Sequence, residues 1–167
     1  SNYTTASGLG DNLVLEVFAT ATSLYAATAG GLSMCQPVFA PEINLKGNGL
    51  TIASGDTTPS LTDDTDFGLA AVTGGLAGRT FTIENIGNAV LNLTGTPKVF
   101  VSGANAADFS VTTQPVSPVA VGDTTIIVVT FDPSAAGLRT ATISIANNDA
   151  DENPYTFAIQ GTGCAAP

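Results

Sequence analysis

The 167-residue chain contains no histidine and no tryptophan. Histidine is the commonest general base and the commonest metal ligand of proteins, so its absence removes the usual routes to acid–base and transition-metal chemistry. Charged residues make up only 11% of the chain, and four of them are basic. A net charge of −10 repels phosphate backbones and anionic lipid surfaces, which argues against nucleic acid and membrane surfaces as partners.

Long apolar runs are also missing. No stretch approaches the ~20 apolar residues of a membrane-spanning helix, so we expect no direct membrane insertion. The first ten residues, SNYTTASGLG, lack the basic and apolar regions of a signal peptide. Either export is directed elsewhere or the chain is an internal piece of a longer protein, and we favour the second.

What the chain does contain is short apolar runs with turn residues between them. The composition is rich in threonine and glycine, which favours strands and turns over helices. Turn signals recur at roughly the 8–12-residue spacing of β-sandwiches, and no 3.6-residue periodicity is present. The sequence predicts an all-β fold, an immunoglobulin-like antiparallel β-sandwich with an N-terminal β-hairpin unit.

The predicted sandwich occupies residues 42–163. Ala141, Ile143 and Ile145 share one strand face, and we expect this face to meet Phe81 and Ile83 in the core. The run 126–129 is apolar on both faces and predicts a central or covered strand, and Gly161-Thr-Gly163 predicts the end of the last strand. The predicted strands are 42–46, 50–53, 67–72, 79–85, 90–94, 98–102, 108–113, 124–131, 139–146 and 155–160.

Residues 1–34 differ from the rest. Two strand-like runs, 13–20 and 23–29, are joined by a tight turn, and Gly30-Gly31 predicts a further short strand. The strands are apolar on both faces and a lone hairpin is marginal in water, so this unit needs a neighbour. A linker at 35–41 follows, and 164–167 begins a connection onward. The predicted assembly segment comprises Leu13, Leu15, Val17, Phe18, Leu24 and Tyr25.

Several motifs in 41–163 resemble one known family. They are Asn85-Ile-Gly87 followed by Leu91-Asn-Leu93, Phe131-Asp-Pro133 with Gly137, Asn148-Asp149, Tyr155 and Gly161-Thr-Gly163. The segment is similar to the Hydin-type (ASH) immunoglobulin-like domain, called the choice-of-anchor D domain in bacterial surface proteins. The resemblance implies a sandwich related to PapD and major sperm protein, structural or binding work in tandem arrays, and no catalytic residues. Residues 3–34 resemble one blade of a bacterial β-propeller.

Two acidic loops are candidate Ca²⁺ sites, because oxygen-rich loops can hold this ion. The first contains Asp56, Asp63, Asp64 and Asp66, and the second contains Asp149, Asp151 and Glu152. The alternative is that these are ordinary turn residues bonded to their own backbone. No cofactor is required by the resemblance, so Ca²⁺ is a candidate rather than a necessity. Paired carboxylates also suggest glycosidase chemistry, but neither loop has an aromatic platform, and we predict no enzyme.

Cys35 and Cys164 are the two cysteines of the chain. The first and last strands of immunoglobulin-like sandwiches tend to run in the same direction, which would separate Cys164 from the start of the domain beyond the ~7 Å reach of a disulfide. We therefore favour free thiols or a bond between successive subunits over a bond within the domain.

The function predicted from these features is that of an extracellular, cell-surface structural module. Its N-terminal segment would pack on a neighbouring subunit or domain by strand addition, giving a head-to-tail filament. The partners are then copies of the chain or neighbouring modules. Two alternatives are open: an adhesin module that binds a glycan or a protein, and a fragment of a long multidomain surface protein.

Overall fold

The computed structural model describes residues 14–19, 24–28, 31–35 and 38–165. The chain divides into two compact units, Ser1–Phe39 and Ala40–Pro167. The division falls inside the predicted linker 35–41. None of the described residues forms a helix with the length and hydropathy to span a membrane.

The first unit contains one three-stranded antiparallel sheet. Its strands are β1 (Val14–Ala19), β2 (Leu24–Thr28) and β3 (Gly31–Cys35), in that order across the sheet. The further short strand predicted from Gly30-Gly31 is present as β3, whereas Gly30 lies outside the described residues. Val17 is 58% exposed and Met34 is 52% exposed, so apolar side chains of this sheet face solvent.

The second unit is a sandwich of two sheets, which confirms the predicted fold class. The five-stranded sheet has the order β5 (Leu50–Ile52), β4 (Ile43–Gly47), β7 (Ala77–Asn85), β10 (Thr124–Phe131) and β9 (Phe109–Thr113). The four-stranded sheet has the order β6 (Asp66–Ala71), β12 (Tyr155–Cys164), β11 (Gly137–Ile145) and β8 (Val99–Ser102). A 3-10 turn covers Ala106–Asp108. The β6–β12 pair is parallel, and the other strand pairs are antiparallel.

Alternation of buried residues with half-buried or exposed ones along the longer strands builds the core. Phe81 and Ile83 of β7 and the Ala141, Ile143 and Ile145 face of β11 are all buried in one cluster, as predicted. The run 126–129 lies in β10, an interior strand, which confirms its predicted position. Its outer face is not covered, because the side chain of Ile126 is 47% exposed.

Two strand predictions are wrong. Residues 90–94 do not form a strand, because Leu91 and Leu93 make only isolated bridges, to Val119 and Asn147. The two leucines are buried all the same, and their alternation mimics a strand.

The last strand does not stop at Gly161 but continues to Cys164. Both glycines of the motif are needed for close packing rather than for a turn. A Cβ at Gly161 would overlap the ring of Phe131, and one at Gly163 would overlap the carbonyl oxygen of Ala135.

The chain enters and leaves the sandwich at opposite poles. The N–H of Ile43, at the start of β4, donates to Oδ2 of Asp149 in the β11–β12 loop (2.9 Å), so β4 and β12 begin at the same pole. β12 ends at the other pole, where Gly163 pairs with Gly137 at the start of β11. We call these the N-terminal pole and the C-terminal pole. The first and last strands of the sandwich therefore run in the same direction, as the sequence predicts.

Candidate functional site

The N-terminal pole is held together by the side chain of Asn85, which is fully buried. Its Nδ2 donates to the carbonyl oxygens of Ala89 (2.8 Å) and Val119 (3.1 Å). Its Oδ1 accepts from the N–H groups of Gly87 (3.2 Å) and Glu42 (3.4 Å). One amide thus satisfies backbone groups from three separate segments, which a buried site requires.

Ala40 adds a second set of bonds at this pole. Its carbonyl oxygen accepts the N–H groups of Asn88 (3.0 Å) and Ala89 (3.2 Å), and its own N–H donates to Oδ1 of Asn88 (2.9 Å). A Cβ at Gly87 would lie 2.5 Å from the carbonyl oxygen of Ala40, so only glycine fits there. The motif Asn85-Ile-Gly87 therefore serves to fix residues 40–42, which we call the incoming segment.

Three carboxylates converge next to the incoming segment. Ligand oxygens of Glu42, Asp149 and Asp151 all lie within 4.8 Å of one another. Asp149 is buried and Asp151 is exposed. Carboxylate oxygens are the hard donors that Ca²⁺ prefers, so the donor set fits this ion. The structure brings together two of the three predicted residues of this loop and adds Glu42.

The carboxylates of this pole affect one another's protonation. Burial raises the pKa of Glu42, and the negative charges of Asp149 and Asp151 raise it further. Burial likewise raises the pKa of Glu152, with added repulsion from Glu42 and the two aspartates. The pole therefore holds negative charge at an energetic cost, which a proton or a cation would relieve.

Two aspartates of the other acidic loop bind groups two residues further on. Oδ1 of Asp56 accepts the N–H (2.8 Å) and the hydroxyl (2.6 Å) of Thr58. Oδ1 of Asp63 accepts the same two groups of Thr65, at 3.1 and 2.6 Å. The hydroxyl and N–H of Thr58 are the main reasons that the pKa of Asp56 is lowered. These contacts favour the alternative in which the aspartates are turn residues.

The remaining two aspartates of that loop have separate partners. Asp64 forms an ion pair with Arg79 (3.2 Å). Asp66 accepts the N–H of Gly68 (2.8 Å) and Nε2 of Gln160 (2.7 Å). Within the described part of the chain, the group of three converging carboxylates includes none of these four aspartates.

The cysteines and the assembly segment are described only in part. Cys164 is a half-buried free thiol at the end of β12, and the side chain of Cys35 lies outside the description. In the assembly segment, Leu13 lies outside the described residues, and the side chains of Leu15, Phe18 and Leu24 are not described. Val17 is exposed and Tyr25 is half-buried. The disulfide between subunits stays a prediction.

A buried ion pair that the sequence does not predict joins Arg139, at the end of the run FDPSAAGLR, to Asp108. Asp108 is 3% exposed, and its Oδ2 accepts Nε of Arg139 while Oδ1 accepts the N–H of Ser134 (3.3 Å). Burial raises the pKa of Asp108, but the bonds from Arg139 and Ser134 outweigh it and lower the pKa. Because Asp108 and Arg139 lie 31 residues apart in the chain, no local sequence pattern predicts that they pair.

The comparisons with known proteins bear on the sandwich. A family model described as the HYDIN/CFA65/VesB-like Ig-like domain matches residues 60–162. The chain belongs to this family. The match lies within the predicted range 42–163 and confirms the resemblance read from its motifs. It does not reach the first unit, so the likeness of residues 3–34 to a propeller blade stays a prediction.

Solved structures with a similar fold come from diverse organisms. A Porphyromonas gingivalis W83 protein of unknown function matches with a TM-score of 0.52 at 15% identity, over 84% of this chain and 62% of that one. The chain thus spans less than two thirds of that protein. PapD-like domain 7 of human CEP192 matches with a TM-score of 0.47 at 14% identity, over 80% of this chain and 92% of that one. The Vibrio cholerae VesB protease matches with a TM-score of 0.44 at 12% identity, over 85% of this chain and 41% of that one.

No curated protein matches the sequence. At these identities the first structural likeness shows the fold alone. The HYDIN/CFA65/VesB-like domain is an immunoglobulin-like domain, and a function for this chain has to be argued from its own residues.

Proposed function

We propose that this HYDIN/CFA65/VesB-like domain is a non-catalytic structural module that holds its neighbours in line within a larger extracellular protein or fibre. The observation that carries the proposal is that the segment entering the sandwich and its last strand are fixed at opposite poles. Asn85, Asn88 and Asp149 bind the incoming segment and the start of β4. β12 is paired with β11 as far as Gly163 and with β6 as far as Cys164. Modules joined in this way form linear arrays.

The composition supports an extracellular setting. Only four basic residues are present, and the exposed face of β11 carries Thr140, Thr142 and Ser144 in place of charges. A surface that depends on hydroxyl groups rather than charges for its solubility suits an exported protein.

We further propose that the first unit packs on a neighbouring subunit or domain. Its sheet exposes Val17 and Met34, and β1 and β3 are edges open to strand addition. Successive head-to-tail contacts of this kind do not close on themselves and produce a filament.

The edge strands of the sandwich differ in how well each could accept an added strand from the first unit of a neighbour. β5 has only three residues, and β6 bulges at Gly68, where φ is +73°. On β8, the side chain of Gln114 binds both the N–H (3.0 Å) and the carbonyl oxygen (3.2 Å) of Val99. Since short, bulged and capped edges resist pairing, we propose β9 as the acceptor, although it has one irregularity at Thr112.

Light scattering and electron microscopy of the full chain, beside a variant that lacks residues 1–34, test the assembly. We expect filaments or large particles from the full chain and monomers from the variant. Circular dichroism and a cooperative melt would show that the variant retains its sandwich. Equal assembly of the two proteins would refute the role of the first unit.

The alternative function, a module that binds a glycan or a protein, predicts an exposed cluster of aromatic side chains. The described residues give this alternative little support. Among residues 38–165, the exposed aromatic side chains are Phe39 and Phe100. Phe39 precedes the sandwich, whereas Phe100 lies in β8. The other aromatic residues of this range are buried in strands.

Ca²⁺ binding at the N-terminal pole is a second candidate function, favoured by the convergence of Glu42, Asp149 and Asp151. The ion would neutralise the carboxylates next to the incoming segment and so stiffen the junction. Isothermal calorimetry with CaCl₂ would show binding heat that Asp151→Asn abolishes and that Asp132→Asn, at the other pole, leaves unchanged. No heat and no rise in melting temperature would rule the ion out.

A further inference from the structure

We propose that the sandwich resists mechanical tension applied along the chain, and that β4 and β12 carry this force in shear. The inference rests on the proposed function, because only a module within a linear array is pulled from its two ends. It concerns how the hydrogen-bond ladders are oriented relative to the pull.

The first strand is loaded along its own axis. β4 runs away from the N-terminal pole, so tension on the incoming segment pulls it back out toward that pole. It pairs with β7 from Ile43↔Asn85 to Gly47↔Phe81, and with β5 on its other side. Hydrogen bonds of an antiparallel pair lie perpendicular to the strands, so this pull strains all of them together rather than one after another.

The last strand is loaded in the same way at the other pole. β12 makes nine pairs with β11, from Ile145↔Tyr155 to Gly137↔Gly163. β6 flanks its other side in parallel, and the N–H of Val72 donates to the carbonyl oxygen of Cys164 (2.9 Å). Because β12 is an interior strand, tension on Cys164 must shear two ladders at once.

Sliding either strand also breaks the core. Ile43 and Leu45 of β4 and Phe157 and Ile159 of β12 are at most 2% exposed. A slip of one residue along a strand turns its inward side chains to the outer face. The first small displacement along the pull therefore exposes apolar surface as well as breaking hydrogen bonds, which steepens the barrier to forced unfolding.

The incoming segment is where tension first arrives. Ala40 is held by Asn88, Glu42 by Asn85 and Ile43 by Asp149. These bonds come from the end of β7, the loop that follows it and the β11–β12 loop, and they must fail before β4 can slide. Among the exposed asparagines of this pole, Asn148 makes comparable bonds, to Asn92 (2.6 Å) and Val90 (3.1 Å), but does not touch the incoming segment.

Single-molecule pulling on the full chain in two directions tests the inference. In a Cys35→Ser, Cys164→Ser background, handles on Phe39→Cys and Ala165→Cys pull along the chain. Handles on Thr51→Cys and Ser110→Cys, at the exposed edges β5 and β9, pull across the five-stranded sheet and peel it. We expect an unfolding force roughly twofold or more higher along the chain than across it. Opening of residues 40–165 is identified by a lengthening of roughly 400 Å.

Two point variants refine the test. Asn88→Ala should lower the force along the chain and leave the force across the sheet unchanged. Asn148→Ala should leave both forces unchanged, although it removes two side-chain hydrogen bonds. Equal forces in the two directions would overturn the inference, and a sandwich that yields easily along the chain while the full chain still assembles would overturn it and leave the proposed function standing.

Discussion

At the scale of single residues, Asn85 connects three segments of the N-terminal pole through one buried amide. Replacing it by alanine removes the side-chain partner of the carbonyl oxygen of Ala89 and of the N–H of Gly87, and one of the two partners of the carbonyl oxygen of Val119. We expect Asn85→Ala to lower the free energy of unfolding by about 3 kcal/mol, since a buried unsatisfied polar group costs about 1–3 kcal/mol. Urea denaturation measures the loss. The exposed Asn148→Ala should cost less than about 1 kcal/mol, and similar losses in both variants would contradict the anchoring role.

Two glutamates should affect stability with opposite signs. The pKa of Glu42 is raised in the folded domain by burial and by Asp149 and Asp151, so the folded state binds this proton more tightly than the unfolded state. Its contribution to stability is full below the unfolded value of 4.5 and is lost as pH rises through the folded pKa. We expect Glu42→Gln to raise the free energy of unfolding at pH 7, and this gain to vanish near pH 4.

Glu84 provides the comparison. Hydrogen bonds from Asn44 and Lys46 lower its pKa, so its contribution is present above the unfolded value and is lost as pH falls. Glu84→Gln should therefore reduce stability at pH 7. Thermal melts of both variants between pH 4 and 8 measure the two effects. Shifts of the same sign would show that the charges of the N-terminal pole do not repel one another as the geometry implies.

At the scale of elements, β12 depends on glycines that no turn requires. Gly161 faces the ring of Phe131, which is fully buried, and a Cβ there would overlap that ring. We expect Gly161→Ala to destabilise the domain by about 1–3 kcal/mol, the usual cost of overpacking.

Gly78 in β7 is the matched control, because a Cβ there has nothing within 4 Å. Gly78→Ala should be neutral or slightly stabilising, since alanine restricts the unfolded chain. Guanidinium denaturation of the two variants separates close packing from strand propensity. If both substitutions cost the same, the contact with Phe131 is not the reason for the glycine.

At the scale of the whole molecule, the opposite poles decide where Cys164 can act. It lies at the C-terminal pole as a half-buried thiol, away from the incoming segment. We expect oxidised full-length protein to form multimers joined by disulfides, visible on a non-reducing gel and lost on reduction. Cys164→Ser should remove the multimers and leave the melting temperature unchanged. A monomeric band that persists after oxidation would leave both thiols free.

Much of the sandwich could be predicted because alternation is local. The faces of β7 and β11, the interior place of β10 and the turns between them follow from which residues are apolar. The predictions for residues 90–94 and for Gly161-Thr-Gly163 are wrong because each pattern is compatible with two structures. Leucines two residues apart can be buried in a loop as well as in a strand. Glycine can make room for a neighbouring ring within a strand as well as mark the strand's end. Of the candidate Ca²⁺ residues, Asp149 and Asp151 were named, but Glu42 lies too far along the chain to be placed with them.

The sequence by itself determined the all-β class, the core faces and the family, because each depends on residue type and short-range spacing. The tertiary structure alone decided which carboxylates meet, that Asp108 pairs with Arg139, and that Asn85 and Gly87 fix the incoming segment. These contacts join residues that lie 31 or more positions apart in the chain. Strand pairing and the packing of the two sheets bring such distant residues together, and they also place the two ends of the sandwich at opposite poles.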